Sequence, residues 1–201
     1  MRVLVVSAHP SAESFLASVR GDLLAAIVAD GHEVEHRDLW REGFDPVFTE
    51  WERIHHVGDS AEKLARFPDL APHVEALRRC EALVLVYPTW WSGQPAILKG
   101  WFDRVLMNGV AWDLPDGANR LRPLLGNVRR LAVVTTHGSG KFVNALEGEG
   151  GKRTVFRSVR LMFPLRCRSR WIAMYGLDTA DAAARDRFRR RAVSRLRRHL
   201  R

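Results

Sequence analysis

Leu83-Val84-Leu85-Val86-Tyr87, then Pro88-Thr89-Trp90-Trp91-Ser92-Gly93-Gln94, then Pro95-Ala96-Ile97-Leu98-Lys99-Gly100-Trp101-Phe102-Asp103-Arg104-Val105: this stretch decides the architecture. A continuous apolar run without polar alternation predicts a strand buried on both faces, and Pro88 ends it. Proline at the first turn predicts a helix from Pro95 to Leu106. A doubly buried strand that feeds a helix is half of a crossover, and crossovers join parallel strands.

The same alternation extends in both directions. Val3 to Val6 is a second buried run, followed by the loop Ser7 to Ser14. From about Glu13 to Ala29, Phe15, Leu16, Val19, Leu23, Leu24, Ile27 and Val28 recur at helical spacing until Asp30-Gly31. Val34 to Leu39 reads as strand two. Residues 40 to 72, with three prolines, read as a long irregular connection holding one helix near Ser60 to Phe67. Leu131 to Thr135 is a fourth strand, Trp171 to Tyr175 a fifth, and Ala182 to Leu200 a terminal helix. This order predicts a single α/β domain over 1–201, with a five-stranded parallel sheet and helices on both faces. In such a sheet ligands bind beyond the carboxyl ends of the strands. The loops there are Ser7 to Ser14, Pro88 to Gln94 and Thr136 to Lys141.

Composition narrows the function classes. The 201 residues carry a formal charge of +9. Residues 157–201 hold 14 Arg against Asp178, Asp181 and Asp186, a net +11, so the rest of the chain is slightly acidic. A uniformly basic nucleic-acid binder is excluded. No apolar run reaches the roughly 20 residues of a membrane span, and residues 1–6 read as a strand rather than a signal peptide, so the expected location is cytoplasmic. Cys80 and Cys167 are too few for a disulfide framework and read as buried hydrophobes.

Two motifs are misleading. His32-Glu33-Val34-Glu35-His36 has the letters of a zinc-protease helix, but it opens a strand, where the histidines stand about 13 Å apart, too far to share a metal. Gly138-Ser139-Gly140-Lys141 and Gly150-Gly151-Lys152 lack the first glycine and the Ser/Thr of a triphosphate loop. No metal site is expected.

The stretch from Tyr87 to Val105 resembles the NAD(P)H dehydrogenase (quinone) family of flavodoxin-like flavoproteins, in which a strand, a Pro-x-x-Trp loop and a Pro-Ala-x-Leu-Lys-Gly-Trp helix follow one another. His9-Pro10 with Ser14-Phe15, and Thr135-Thr136 with Gly138, fall in the family order. The resemblance covers residue 3 to about 140 and implies a single flavodoxin-like three-layer sandwich, a five-stranded parallel sheet with helices on both faces. It implies a flavin whose ring is lined by Pro88, Thr89, Trp90 and Trp91, with backbone amides of Thr89 to Trp91 on the N5 side. Thr136, His137 and Gly138 would meet the N1 to O2 edge. An isoalloxazine needs this mixture, because its polar edge is costly to bury unpaired. Adjacent side chains of an extended loop point opposite ways, so either Trp90 or Trp91 is a candidate for the core instead.

The helix starting near Ser14 offers free N–H groups to a phosphate, with Ser11, Ser14 and His9 as further donors; capping uses the same terminus. His9 facing a pyrophosphate would favour FAD, with FMN the alternative. The implied reaction takes hydride from NAD(P)H through the flavin to a quinone-type acceptor. Relatives carry a tyrosine and a histidine downstream of their Thr-Gly-Gly loop, where this chain has Val143 and Glu149. His137 stands where a glycine is usual, either as the catalytic charge-stabilising group or as a bulky neighbour that narrows substrate choice.

Relatives are homodimers. Trp40, Phe44, Phe48, Trp51, Trp112 and Phe142 suit either such an interface or packing on their own chain. Two other functions compete with the oxidoreductase: a flavin-binding ancillary subunit of a membrane transport system, and an anion- or nucleic-acid-binding module. On the terminal helix Phe188, Ala192, Leu196 and Leu200 form the expected buried stripe. Arg157, Arg160, Arg166, Arg168 and Arg170 stand near the fifth strand, within expected reach of a nicotinamide phosphate or the FAD pyrophosphate.

Overall fold

The computed structural model describes residues 1–201. In chain order the elements are β1 (Arg2–Ser7), α1 (Phe15–Ala29), β2 (Glu33–Asp38), α2 (Glu50–Ile54), α3 (Ser60–Arg66), α4 (Ala71–Arg79), β3 (Ala82–Pro88) and α5 (Ala96–Val105). There follow a short hairpin of β4 (Trp112–Asp113) and β5 (Arg122–Pro123), then β6 (Arg130–Thr136), α6 (Lys141–Leu146), α7 (Gly150–Arg153), β7 (Arg168–Met174) and α8 (Ala182–Leu200). The main sheet is five-stranded in the order β2-β1-β3-β6-β7, and every neighbouring pair is parallel. This is the flavodoxin-like order, with β1 and β3 side by side at the point where the winding reverses.

Alternate residues of the central strands feed two cores. Val3, Val5, Val84 and Val86 pack with α1 and α8, through Leu23, Ile27, Phe188 and Leu196. Leu4, Val6, Leu83 and Leu85 pack on the opposite face with Leu77, Leu98 and Trp101. Burial on both faces is why these strands read as unbroken apolar runs. The terminal stripe holds, with Phe188, Ala192, Leu196 and Leu200 all buried. Cys80 and Cys167 are buried and unpaired.

The Gly100 of the deciding stretch has a packing reason. A Cβ there would lie 2.3 Å from the Pro46 carbonyl oxygen, so only glycine lets α5 take the 40–49 connection against its surface. Below that contact a buried charge cluster ties the connection down. Arg104 donates to Glu52 Oε1 at 3.1 Å and to the Asp45 carbonyl at 2.7 Å, and Lys63 reaches the same carboxylate at 3.1 Å.

Several boundaries and one whole region differ from the sequence reading. The 40–72 connection is not irregular: beside the expected α3 it contains α2, opened by a full capping box between Thr49 and Glu52, and leads into α4. Phe44 and Trp112 join the core, and Trp51 stacks on His55 at 4.1 Å, so these aromatics are used within the chain. The fifth strand begins three residues earlier than expected, at Arg168. Its register pairs Arg168 with Arg130 and Met174 with Thr136, which puts Arg166 and Arg168 at the amino ends of the strands, away from the ligand edge. Arg160 is spent on carbonyls of its own loop. The expectation that Arg160, Arg166 and Arg168 hold a ligand phosphate is therefore corrected, while Arg157 lines a separate cavity with Ala145, Gly148 and Glu149. No helix is long and apolar enough to cross a membrane.

Candidate functional site

At the carboxyl edge of the sheet a cavity of about 610 Å³ opens between the loops after β1, β3 and β6. Its walls include His9, Ser14 and Phe15 from the first loop, Pro88, Thr89, Trp90 and Trp91 from the second, and Thr136 and Gly138 from the third. His137 lines an adjoining cavity of about 420 Å³ that shares Thr89, Trp91 and Gly138 with the first. A larger concavity of about 760 Å³ lies between α1 and α8, but its walls are almost entirely charged and Val193 is its one hydrophobic residue. An organic ligand needs apolar walls, which favours the strand-edge cavity.

The first loop prepares an anion site. Ser14 Oγ accepts from Ala17 N–H and donates to the Ser11 carbonyl, both at 3.1 Å, so its hydroxyl is committed to capping. The N–H groups of Phe15 and Leu16 have no capping partner and point out of the helix terminus. His9 Nδ1 lies 3.0 Å from Ser11 N and 3.1 Å from the Ser11 carbonyl oxygen, so the ring is held against the Ser11 backbone on the cavity wall. Burial pushes the His9 pKa down.

The second loop is a tight turn rather than an extended strand. Trp90 and Gly93 exchange both backbone hydrogen bonds, while Trp91 and Ser92 between them lie at φ 49° and 57°. That is a type I′ arrangement, which favours asparagine and glycine. Neither tryptophan enters the core: Trp90 is 43% exposed and Trp91 wholly so. The turn also decides which amides are free. Thr89 N–H donates to the Thr136 carbonyl at 2.8 Å and Trp90 N–H to the Gly93 carbonyl at 3.2 Å, which leaves the Trp91 and Ser92 N–H groups for a ligand. The expectation that the Thr89 and Trp90 amides also reach a flavin is corrected.

At the third loop the hydrogen bonds fix the His137 tautomer. The Asn144 amide nitrogen donates to the Ser139 carbonyl, Ser139 Oγ and the Gly140 carbonyl, between 2.9 and 3.2 Å. Its oxygen must therefore accept from His137 Nδ1–H, at 2.6 Å. His137 Nε2 then carries a lone pair, 3.5 Å from Thr89 Oγ1, on the side shared by the two cavities. Burial lowers the pKa of the ring, partly opposed by the Asn144 bond. The imidazole also stacks on Tyr175, with ring centroids 4.4 Å apart, and the Tyr175 hydroxyl donates to Glu149 at 2.8 Å.

The sequence reading does not include Tyr175, Asn144 and Asp178. Tyr175 and Asp178 are legible in principle, because they follow the fifth strand and so belong to the same edge, while Asn144 sits on α6 with no such signal. Leu177 N–H donates to the His137 carbonyl, and the Asp178 carboxylate rests against Gly138, where a Cβ would sit 2.5 Å from its oxygen.

Residues 1–200 match the family described as Flavodoxin-like fold. The NAD(P)H dehydrogenase (quinone) 1 of Rattus norvegicus is 30% identical over 166 residues, 77% of this chain and 60% of that protein. The chain spans about 60% of the length of the curated relatives it matches. The solved NAD(P)H:quinone oxidoreductase from Methanothermobacter marburgensis superposes with a TM-score of 0.81 at 26% identity, over 100% of this chain and 99% of its own. An FMN-dependent NADH-azoreductase from Bacillus anthracis, solved with FMN, shares the fold at a TM-score of 0.72 and 16% identity, covering 98% of this chain and 99% of that one.

Proposed function

The chain belongs to the flavodoxin-like fold family, and from that premise we propose that it is an NAD(P)H-dependent flavin oxidoreductase acting on a quinone-type acceptor. One observation carries the reading: the strand-edge cavity joins unpaired N–H groups at the α1 terminus to an aromatic turn with its own free amides. Phosphate, ring and polar ring edge each find a matching surface, which is the fit that a flavin requires.

When bound, the flavin supplies the two-electron chemistry between the reduced nicotinamide and the acceptor. The Phe15 and Leu16 amides hold its phosphate, with the His9 ring beside them on the cavity wall. Pro88, Trp90 and Trp91 flank its ring, and the Trp91 and Ser92 amides donate to its polar edge. Thr136 and Gly138 close the third side. His137 Nε2, beside Thr89 Oγ1, is the group that takes up and returns a proton. The phosphate contacts are common to FMN and FAD, and His9 on the same cavity wall is the one residue that favours the second phosphate of FAD. A second copy covering Phe142, Val143 and Leu146, all exposed on α6 beside the cavity, is the assembly this reading implies.

Purified protein incubated with FMN or FAD should bind one of them, turn yellow, and be bleached by NADH or NADPH and recoloured by a quinone. Chromatography of the released cofactor identifies it, and light scattering gives the assembly. A protein that quenches neither flavin's fluorescence refutes the proposal.

A further inference from the structure

Opposite the cavity, at the amino ends of β6 and β7, basic and aliphatic side chains share one surface. Arg168 N–H donates to the Arg129 carbonyl at 3.0 Å. Arg130 donates to the His199 and Arg201 carbonyls at 2.9 and 3.1 Å, which pins the last turn of α8, with Arg198, beside the strand starts. Just before β7 the chain projects Leu161, 61% exposed, and Leu165, 98% exposed.

That projection is braced. The Arg160 guanidinium donates to the carbonyls of Phe163, Leu165 and Cys167, at 3.2, 2.8 and 2.8 Å, while the Phe163 and Cys167 side chains are buried on either side. The turn therefore holds Leu165 outward. The β4–β5 hairpin packs against the same segment and adds the exposed Leu121 and Leu124 among Arg120, Arg122 and Arg129. The acids nearby are few: Asp113 is held by Arg122, Glu81 accepts from Arg2 N–H, and Asp116 lies on the hairpin.

We propose that this edge docks on an anionic phospholipid bilayer, the leucines entering the acyl boundary and the arginines meeting lipid phosphates. Exposed aliphatic tips ringed by guanidinium groups are the composition of an interfacial anchor. A nucleic acid would use the arginines and gain nothing from four leucines. A second copy of this chain, meeting the same surface, would set arginine against arginine. Docked this way, the protein holds its strand-edge cavity toward water. The inference stands independently of the flavin.

Sedimentation with vesicles tests it. The full chain should bind phosphatidylcholine vesicles containing phosphatidylglycerol, leave phosphatidylcholine alone unbound, and release as salt rises. Leu165→Asp should weaken binding about tenfold or more, and Arg166→Glu with Arg168→Glu about fivefold for each charge removed. Leu165→Trp should bind and show a blue-shifted emission on the mixed vesicles only. Circular dichroism establishes that each variant is folded, as expected for a side chain without packing partners. No binding to the mixed vesicles overturns the proposal, as does equal binding by Leu165→Asp. A solution mass that falls on Leu165→Asp gives the surface to a second copy. DNA retention at lower concentration than vesicle binding gives it to nucleic acid. Either of the last two results also overturns the proposal.

Discussion

Trp91→Asn should stabilise the apoprotein and weaken its hold on flavin. Trp91 sits at φ 49° in the first central position of the Trp90–Gly93 turn, where asparagine is a preferred residue. A left-handed backbone costs an ordinary residue about 1–2 kcal/mol, and asparagine largely escapes that cost. The indole is wholly exposed, so its removal forfeits no packing. A net gain of about 1 kcal/mol should raise the melting temperature of a chain this size by about 2–4 °C. The same indole is proposed to flank the flavin, where an aromatic contact contributes about 0.5–1.5 kcal/mol. Its loss should weaken flavin binding about two- to twelvefold. Thermal melts of the apoprotein and a fluorescence titration with flavin read the two effects separately. A lower melting temperature would show that the indole packs on the chain; an unchanged Kd would remove Trp91 from the site.

Four other changes probe the frame and the site. Glu52→Gln leaves Arg104 and Lys63 buried without their shared counter-ion and should cost about 3 kcal/mol or more in chemical denaturation. Gly100→Ala forces α5 away from Pro46 and should cost about 1–3 kcal/mol by the same assay. Burial pushes the His199 pKa down to about 4, so the unfolded chain binds the proton first and stability falls as pH drops from 6.5 toward 4. His199→Gln should lower stability at pH 7 and flatten that acid limb; an unaltered slope between pH 7 and 4.5 would contradict the assignment. Asn144→Asp places a carboxylate on His137 Nδ1, so the imidazole should titrate at higher pH by NMR, and an unmoved titration would break the tautomer argument.

The central strands were legible because burial on both faces removes any need for polar alternation: Leu83 to Tyr87 and Val3 to Val6 read as strands and are strands. The edge strands were harder. β7 opens with Arg168-Ser169-Arg170, which carries no apolar signal because its early side chains are exposed, and the reading began only at Trp171. Three residues decided whether the arginines stood at the ligand edge or the opposite one. The 40–72 segment failed for a different reason. Its prolines spoke for irregularity, while the capping pair Thr49 and Glu52, a local signal for a helix start, was available and outweighed.

The site separates what residue identity fixes from what only geometry fixes. His9, Ser14, Phe15, Pro88 to Trp91 and Thr136 to Gly138 all lie on the two adjoining cavities, since each belongs to a loop that the strand order delivers to one edge, while Ser11 lines neither. Which of their atoms are available is another matter. The Thr89 amide and the Ser14 hydroxyl are the right groups in the right place, yet both are consumed by partners within the chain. Conversely, the place where relatives carry a tyrosine and a histidine, and this chain has Val143 and Glu149, is not left bare. Tyr175, arriving from β7, stacks on His137 and donates to Glu149, so the His137 ring is held between Asn144 on one side and an aromatic–carboxylate pair on the other. A bulky residue meant only to narrow the pocket would need no such support. An imidazole fixed in one tautomer, with Nε2 3.5 Å from the Thr89 hydroxyl that lines both cavities, is what the proposed proton-handling role requires.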